Sequence, residues 1–381
     1  MSSIRAGLPQ GRLTMRSERG SLTAVQLLAV LLLAVFPTMA MLLPGDLVRL
    51  GGRYGWWTPL LAAAPATLLA WLAGVLGTPV GDSVSAALQG LGPVAGRALL
   101  FVEWLALGAY VVVTIRESGD ISAATLISAN VPVWILTVLS MLPAVLLVWV
   151  GPVVLGRTAA LIAPVLVFMY VAVLAGALPA VHVVWALPLL PRNGRFAAWH
   201  PLLVTWVWEA EPLFLGAGLL HQVQASAQRT AGRTLALAVA ASALLTALGT
   251  WTMVAAAGPQ GVAAAALPVL EVVNRITIGS SVQHLQSVVL PIETMGVVIK
   301  VGVFLWLWCR LGQRLVRIST KVVLAIEAAV GTALAVGAFP NLLAVDRALY
   351  LLLAQLALPT LVAATFVGYG AALIRQGRGG E

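Results

Sequence analysis

Charge is scarce in this chain: 9% of its 381 residues are charged. A soluble domain carries about 25%, so the soluble enzyme classes fall away first. There is one cysteine, Cys309, which excludes an internal disulfide and a cysteine-rich metal site. The four histidines, His182, His200, His221 and His284, show no metal-ligand spacing. No glycine-rich stretch follows a strand pattern and opens a helix, so nucleotide chemistry has no support. No carboxylate pair or Ser-His-Asp spacing resembles a hydrolase. The expectation is a non-enzyme with no metal and no cofactor. The net charge of +9 does not imply a nucleic-acid partner. The basic residues sit in short loops, where a membrane orientation rule accounts for them.

What the chain has in abundance is apolar length. It is 61% hydrophobic with a mean hydropathy of +1.00. With a span of about 20 residues as the unit, ten spans are predicted, near 22–45, 56–77, 96–118, 131–151, 157–179, 200–222, 231–256, 286–309, 318–339 and 347–373. Residues 1–20 read as a basic cytoplasmic tail with Arg5, Arg12, Arg16 and Arg19. The apolar run behind it exceeds a signal-peptide core of about 7–15 residues and is kept as a span. Residues 21–375 form one transmembrane domain, and 376–381 a second tail. With the N-terminus inside, 14 basic residues fall in inner segments and 7 in outer ones, with Lys300 inside a span. That excess places both termini in the cytoplasm. The cluster from Arg310 to Lys321 is the strongest anchor, and contact with anionic membrane lipid fits it.

The spans divide five plus five, repeat one over about 22–180 and repeat two over about 200–373, with a polar connector near 181–199. Spans 1 and 6 are then counterparts, and both are interrupted. Span 1 carries Pro37 and Pro44-Gly45; span 6 carries Pro212, with Gly216 and Gly218 after it. Interrupted helices at matching positions of two halves point to a binding site at the membrane midplane. Two elements read as non-spanning: residues 77–95, a turn with a short helix capped by Asp82 or Ser83, and 257–285, an external loop with short helices.

Span 6 holds Glu209 and Glu211 beside Pro212, at a depth where carboxylates are costly and rarely idle. Pro212 donates no N–H and clashes with the carbonyl of Trp208, which predicts a break. At a break the two acids can converge, and one of a close pair then keeps its proton. Span 3 places Glu103, Tyr110, Thr114 and Glu117 on one face. That face either lines a wet path or ties helices by hydrogen bonds. Span 8 places Glu293 and Lys300 on one face, two turns or roughly 10 Å apart, so each needs another partner. Lys300 is either a structural ion-pair member or a fixed positive charge where a coupling ion would otherwise sit. Glu327 is expected to snorkel to the inner surface.

The order of segments resembles the endospore germination permease family, the B subunits of nutrient germinant receptors, within the amino acid–polyamine–organocation superfamily. The residues that carry the likeness are GSLTAVQLL (20–28) opening span 1, the LLP of 42–44, IRESGDISAATLISANVPVWIL (115–136), RTAALIAPVLVF (157–168), WALPLLP (185–191), the acid of span 6, and ITIGSSVQHLQSVVLPIETMGVVIKVGVFLW (276–306). The chain departs from the family at Phe36-Pro37-Thr38, where small residues are usual, at His284 and Gln286, where an arginine and an acid are usual, and in having two span 6 acids.

The resemblance implies an all-α integral membrane protein with a ten-helix LeuT-type fold and broken helices 1 and 6. It implies a small germinant ligand, most often an amino acid, and partnership with an A subunit and a lipoprotein C subunit in the spore inner membrane. The expected site is Phe36, Pro37 and Thr38 with Trp208, Glu209, Glu211 and Pro212. Glu103, Tyr110, Thr114, Glu117, Glu293 and Lys300 form a polar path or coupling set. Three readings stay open: a germinant receptor subunit, a proton-coupled amino acid carrier, and a water- or ion-conducting subunit.

Overall fold

A computed structural model describes residues 20–125, 131–187, 199–265, 267–276 and 286–378. The basic tail, the connector over 188–198, the loop over 277–285 and the side chains of Thr38 and Glu293 lie outside the described residues. Within the described residues, nine helices are long and apolar enough to cross a membrane, and the shorter apolar helix Ala24–Pro37 opens span 1.

The layering follows from which faces are covered. Spans 6 and 8 are 83% buried over their most apolar windows, whereas spans 4, 5 and 9 are 28–33% buried. Spans 6 and 8 therefore form the centre and the other three the rim. On the rim, large apolar side chains such as Leu146, Leu161, Phe168 and Val330 point outward. Such a surface suits hydrocarbon, where helices satisfy their own backbone bonds. In the core, glycine lets backbones close in. A Cβ at Gly74 of span 2 would lie 2.4 Å from the Gly232 Cα of span 7, and a Cβ at Gly296 of span 8 would lie 2.6 Å from Pro37 of span 1.

Spans 1 and 6 meet at one short backbone contact, a parallel bridge between Leu22 and Val223. Leu22, at the start of span 1, pairs with the end of span 6: its N–H donates to the Gln222 carbonyl at 2.6 Å, and its carbonyl accepts from the Gln224 N–H at 2.9 Å. The first residues of span 1 thus lie beside the last residues of span 6.

Local chemistry sets the element ends. Spans 4 (Val133–Val150) and 5 (Pro152–Gly176) are joined by Gly151 alone. Its φ of 121° is open to glycine, and Pro152 then starts the next helix. Asp82 caps the helix Ser83–Thr125, accepting the Ser85 N–H at 3.0 Å. Gly92 (φ 82°, ψ −179°) is non-helical, so the expected short helix ends there and meets span 3 at a kink, with Pro93 following it. Span 3 extends past its predicted end. Arg116 and Glu117 are helical and buried, and Arg116 pairs with Asp120 at 3.0 Å.

Span 1 differs from expectation in one respect. Its helix Ala24–Met41 runs through Pro37 without a break, and the interruption falls at Leu42, before a second helix Leu43–Gly51. One proline removes a single backbone bond, and a transmembrane helix packed among neighbours tolerates it. Glu327 is also corrected. It is 4% exposed rather than snorkelling, and its Oε1 accepts the indole N–H of Trp104 at 2.6 Å.

Candidate functional site

The span 6 break is one residue deep. Helix Trp199–Glu209 ends, Ala210 takes φ −83° and ψ −8°, and helix Glu211–Leu219 begins with Pro212 in its first turn. Proline is at home there because its missing N–H would find no helical partner anyway. Ala210 tightens the turn instead, donating toward Trp206 at 3.0 Å and Val207 at 3.2 Å. The carbonyl of Trp208 cannot receive a helical bond from Pro212.

Glu209 and Glu211 flank this turn and go separate ways. Both are fully buried. Glu209 Oε2 accepts from the Ser242 hydroxyl of span 7 at 3.1 Å. Glu211 Oε1 lies 3.5 Å from Lys300 Nζ of span 8. A buried ion pair gives up the hydration of two charges, so its partners must stay close to compensate. Aromatic rings add to the compensation. Lys300 Nζ stands 5.3 Å from the centroid of Tyr110 and 5.6 Å from that of Trp208, within the range of cation–π attraction. Tyr110 is stacked on Phe304 at 3.9 Å and meets Trp208 edge-on at 6.3 Å. Phe214 lies tilted against Phe304 at 5.7 Å.

Polar capacity is left over in this aromatic enclosure. Among the described residues, Glu209 Oε1, both Glu211 oxygens and the Tyr110 hydroxyl complete no hydrogen bond. Buried polar atoms in that state are uncommon and costly, and they mark places where another polar group is expected.

The structure brings Trp208, Glu211, Tyr110 and Lys300 together at one point. Phe36 lies apart, edge-on to Tyr170 at 5.1 Å, and Pro37 packs on Gly296. Glu103 and Thr114 are buried on the Tyr110 face, about two turns and one turn away. Sequence reasoning missed Phe304, Phe214 and Ser242. Phe304 follows Lys300 by four residues and so shares its face, a usable signal. Ser242 sits in an Ala/Ser/Thr-rich run that carries none.

At one end of the bundle a second polar group forms, also missed. Asp82 Oδ2 accepts from Arg310 Nη2 at 3.0 Å, and His221 abuts Arg310. Asp82 precedes span 3, His221 ends span 6 and Arg310 ends span 8, so three central helices are clasped there.

Comparison with known proteins places this architecture. Mhp1, a nucleobase-cation-symport-1 family transporter solved in a closed conformation with bromovinylhydantoin bound, matches 94% of each chain with a TM-score of 0.61 and 11% identity. The inward-facing conformation of Mhp1 matches 92% of this chain and 77% of its own with a TM-score of 0.62 and 12% identity. The Eremococcus coleocola manganese transporter, solved with an aromatic bis-isothiourea compound, matches 98% and 80% with a TM-score of 0.54 and 13% identity. These likenesses fix the fold, an all-helical LeuT-type bundle. A search of curated protein sequences finds no match. The family model described as spore germination protein, the spore permease family, matches residues 21–336. The chain therefore belongs to the spore germination permease family, and it carries that family's identity on a LeuT-type fold.

Proposed function

We propose that the chain is the permease-like subunit of a germinant receptor and binds a small zwitterion, an amino acid in the simplest case, at the span 6 break. The observation that carries this reading is the Glu211–Lys300 pair, buried in an aromatic enclosure beside the break. A zwitterion brings one charge of each sign. Its ammonium replaces Lys300 as the partner of Glu211, with the Trp208 carbonyl beside it. Its carboxylate replaces Glu211 as the partner of Lys300. Spans 6 and 8 then no longer hold each other directly, and occupancy changes how they sit. Differential affinity for two such arrangements is what a receptor needs to report binding. The family implies A and C subunits as readers of that change. The basic-residue count supports cytoplasmic termini, in the spore inner membrane by family.

A second reading, a proton-coupled carrier, has its own support at Glu209. The Ser242 hydroxyl has one hydrogen and two acceptors in reach, the Val239 carbonyl at 2.9 Å and Glu209 at 3.1 Å. Both contacts are satisfied together when the Glu209 carboxyl brings a hydrogen of its own. Counterflow of labelled amino acids in liposomes, run beside thermal-shift binding on the same preparation, separates the readings. Binding without counterflow supports the receptor. Saturable counterflow that loses its dependence on a proton gradient in Glu209→Gln supports the carrier. No binding to a broad amino acid panel overturns both.

A further inference from the structure

At the clasped end of the bundle lies a cavity of about 780 Å³, within the usual range for small-molecule sites. Arg97, His221, Trp306, Arg310, Arg314 and Arg317 line it, and no carboxylate does. Arg97 comes from the start of span 3; Arg310 and Arg314 come from the end of span 8, with Arg317 just beyond it. Of the cavity's arginines, Arg310 pairs with Asp82 at 3.0 Å. Arg97, Arg314 and Arg317 have no ion pair among the described residues.

Dipole compensation at the end of span 8 explains Arg310 and Arg314. It does not explain Arg97, which belongs to another helix. Arg317 has a φ of 56°, the one left-handed non-glycine residue among those described. In that conformation its N–H caps span 8 by donating to the Gln313 carbonyl at 2.9 Å, and its side chain lines the cavity. Like charges gathered in one concavity repel one another unless an anion joins them. Trp306 adds a flat wall, with the Arg310 guanidinium 5.5 Å from its ring, and Gln313 and Thr320 supply neutral hydrogen-bonding groups.

We propose that this cavity is a binding site for a phosphate-bearing anion, separate from the zwitterion site and independent of it. Guanidinium forks match phosphate oxygens bidentately, and several forks converging from different helices select a multiply charged group. The phosphate comes from one of two sources, the headgroup of an anionic phospholipid or a soluble phosphate compound. Binding would tie the ends of spans 3 and 8 together beside the Asp82–Arg310 clasp.

The test uses the full chain in two arms. Inorganic pyrophosphate is titrated calorimetrically into protein in neutral detergent. In parallel, native mass spectrometry compares lipid retention from phosphatidylglycerol and phosphatidylcholine nanodiscs. Arg314→Gln/Arg317→Gln and, separately, Arg97→Gln are the variants; these side chains are exposed and lie outside the clasp. Pyrophosphate binding that weakens at least about tenfold in the double variant supports a soluble ligand. Retained phosphatidylglycerol that is lost in the variants, with no pyrophosphate binding, supports the lipid. Failure of both to bind the wild type, or equal binding in all variants, overturns the proposal.

Discussion

Lys300 of span 8 and Glu211 of span 6 stand 3.5 Å apart with side chains 1% and 0% exposed. Two charges so deep tie the central helices together only while both remain. Removing one leaves the other buried without its partner, whereas removing both relieves two desolvation costs. Lys300→Met is therefore expected to destabilise the protein by about 3–5 kcal/mol. Glu211→Leu/Lys300→Met is expected to recover most of that loss. Urea unfolding of the detergent-solubilised protein, followed by tryptophan fluorescence, compares the two; a double variant no better than the single one contradicts the ion-pair account.

Asp82 has two tasks, capping the helix that leads into span 3 and holding Arg310. Loss of a cap costs about 1 kcal/mol, and an orphaned buried partner costs more. Asp82→Ala is expected to lower stability by roughly 3 kcal/mol. Asp82→Asn keeps an oxygen for the cap but surrenders the charge, and should fall between the two. Thermal unfolding ranks the three proteins, and equal losses for Ala and Asn would assign the whole effect to Arg310.

Close helix crossing yields a prediction with an internal control. A methyl group at Gly74 meets the Gly232 backbone at 2.4 Å, while one at Gly370 meets nothing within 4 Å. Gly74→Ala must push spans 2 and 7 apart, so a loss of about 1–3 kcal/mol is expected from overpacking. Gly370→Ala is expected to be neutral or to stabilise by about 0.5–1 kcal/mol through helix propensity. Expression level and melting temperature in matched detergent check the contrast.

Ser242 and Glu209 give a smaller and more local effect. Ser242→Ala removes one buried donor and should cost about 1 kcal/mol. Glu209→Gln keeps the shape of the acid and should leave stability nearly unchanged. Under the receptor reading both variants keep ligand affinity within about threefold, less than 1 kcal/mol. A far larger loss of affinity on Glu209→Gln would move the ligand's ammonium from Glu211 to Glu209.

How much of this was legible in the sequence depended on the kind of signal. Pro212 marked the span 6 break to within two residues, because a missing N–H acts locally. Pro37 misled, because whether a proline breaks a helix depends on neighbours such as Gly296, far away in the chain. Lys300 and Glu211 each stood out as charges inside apolar runs, but their pairing is a property of how spans 6 and 8 pack. The face shared by Tyr110 and Thr114 was visible from periodicity, yet the stacking of Tyr110 on Phe304 was not. Glu327 was misplaced because its indole partner, Trp104, and the space beside Gly312 belong to other helices.

Replacement of both partners of the Glu211–Lys300 pair by one zwitterion is tested by equilibrium binding of a matched ligand set. The set comprises an amino acid, its decarboxylated amine and its deaminated acid, titrated into the wild type and into Glu211→Leu/Lys300→Met. Saturable binding of an amino acid to the wild type is expected, with at least about tenfold weaker binding of either half-ligand and loss of binding in the double variant. Equal affinity for the amine and the amino acid, or full affinity in a folded double variant, would contradict it.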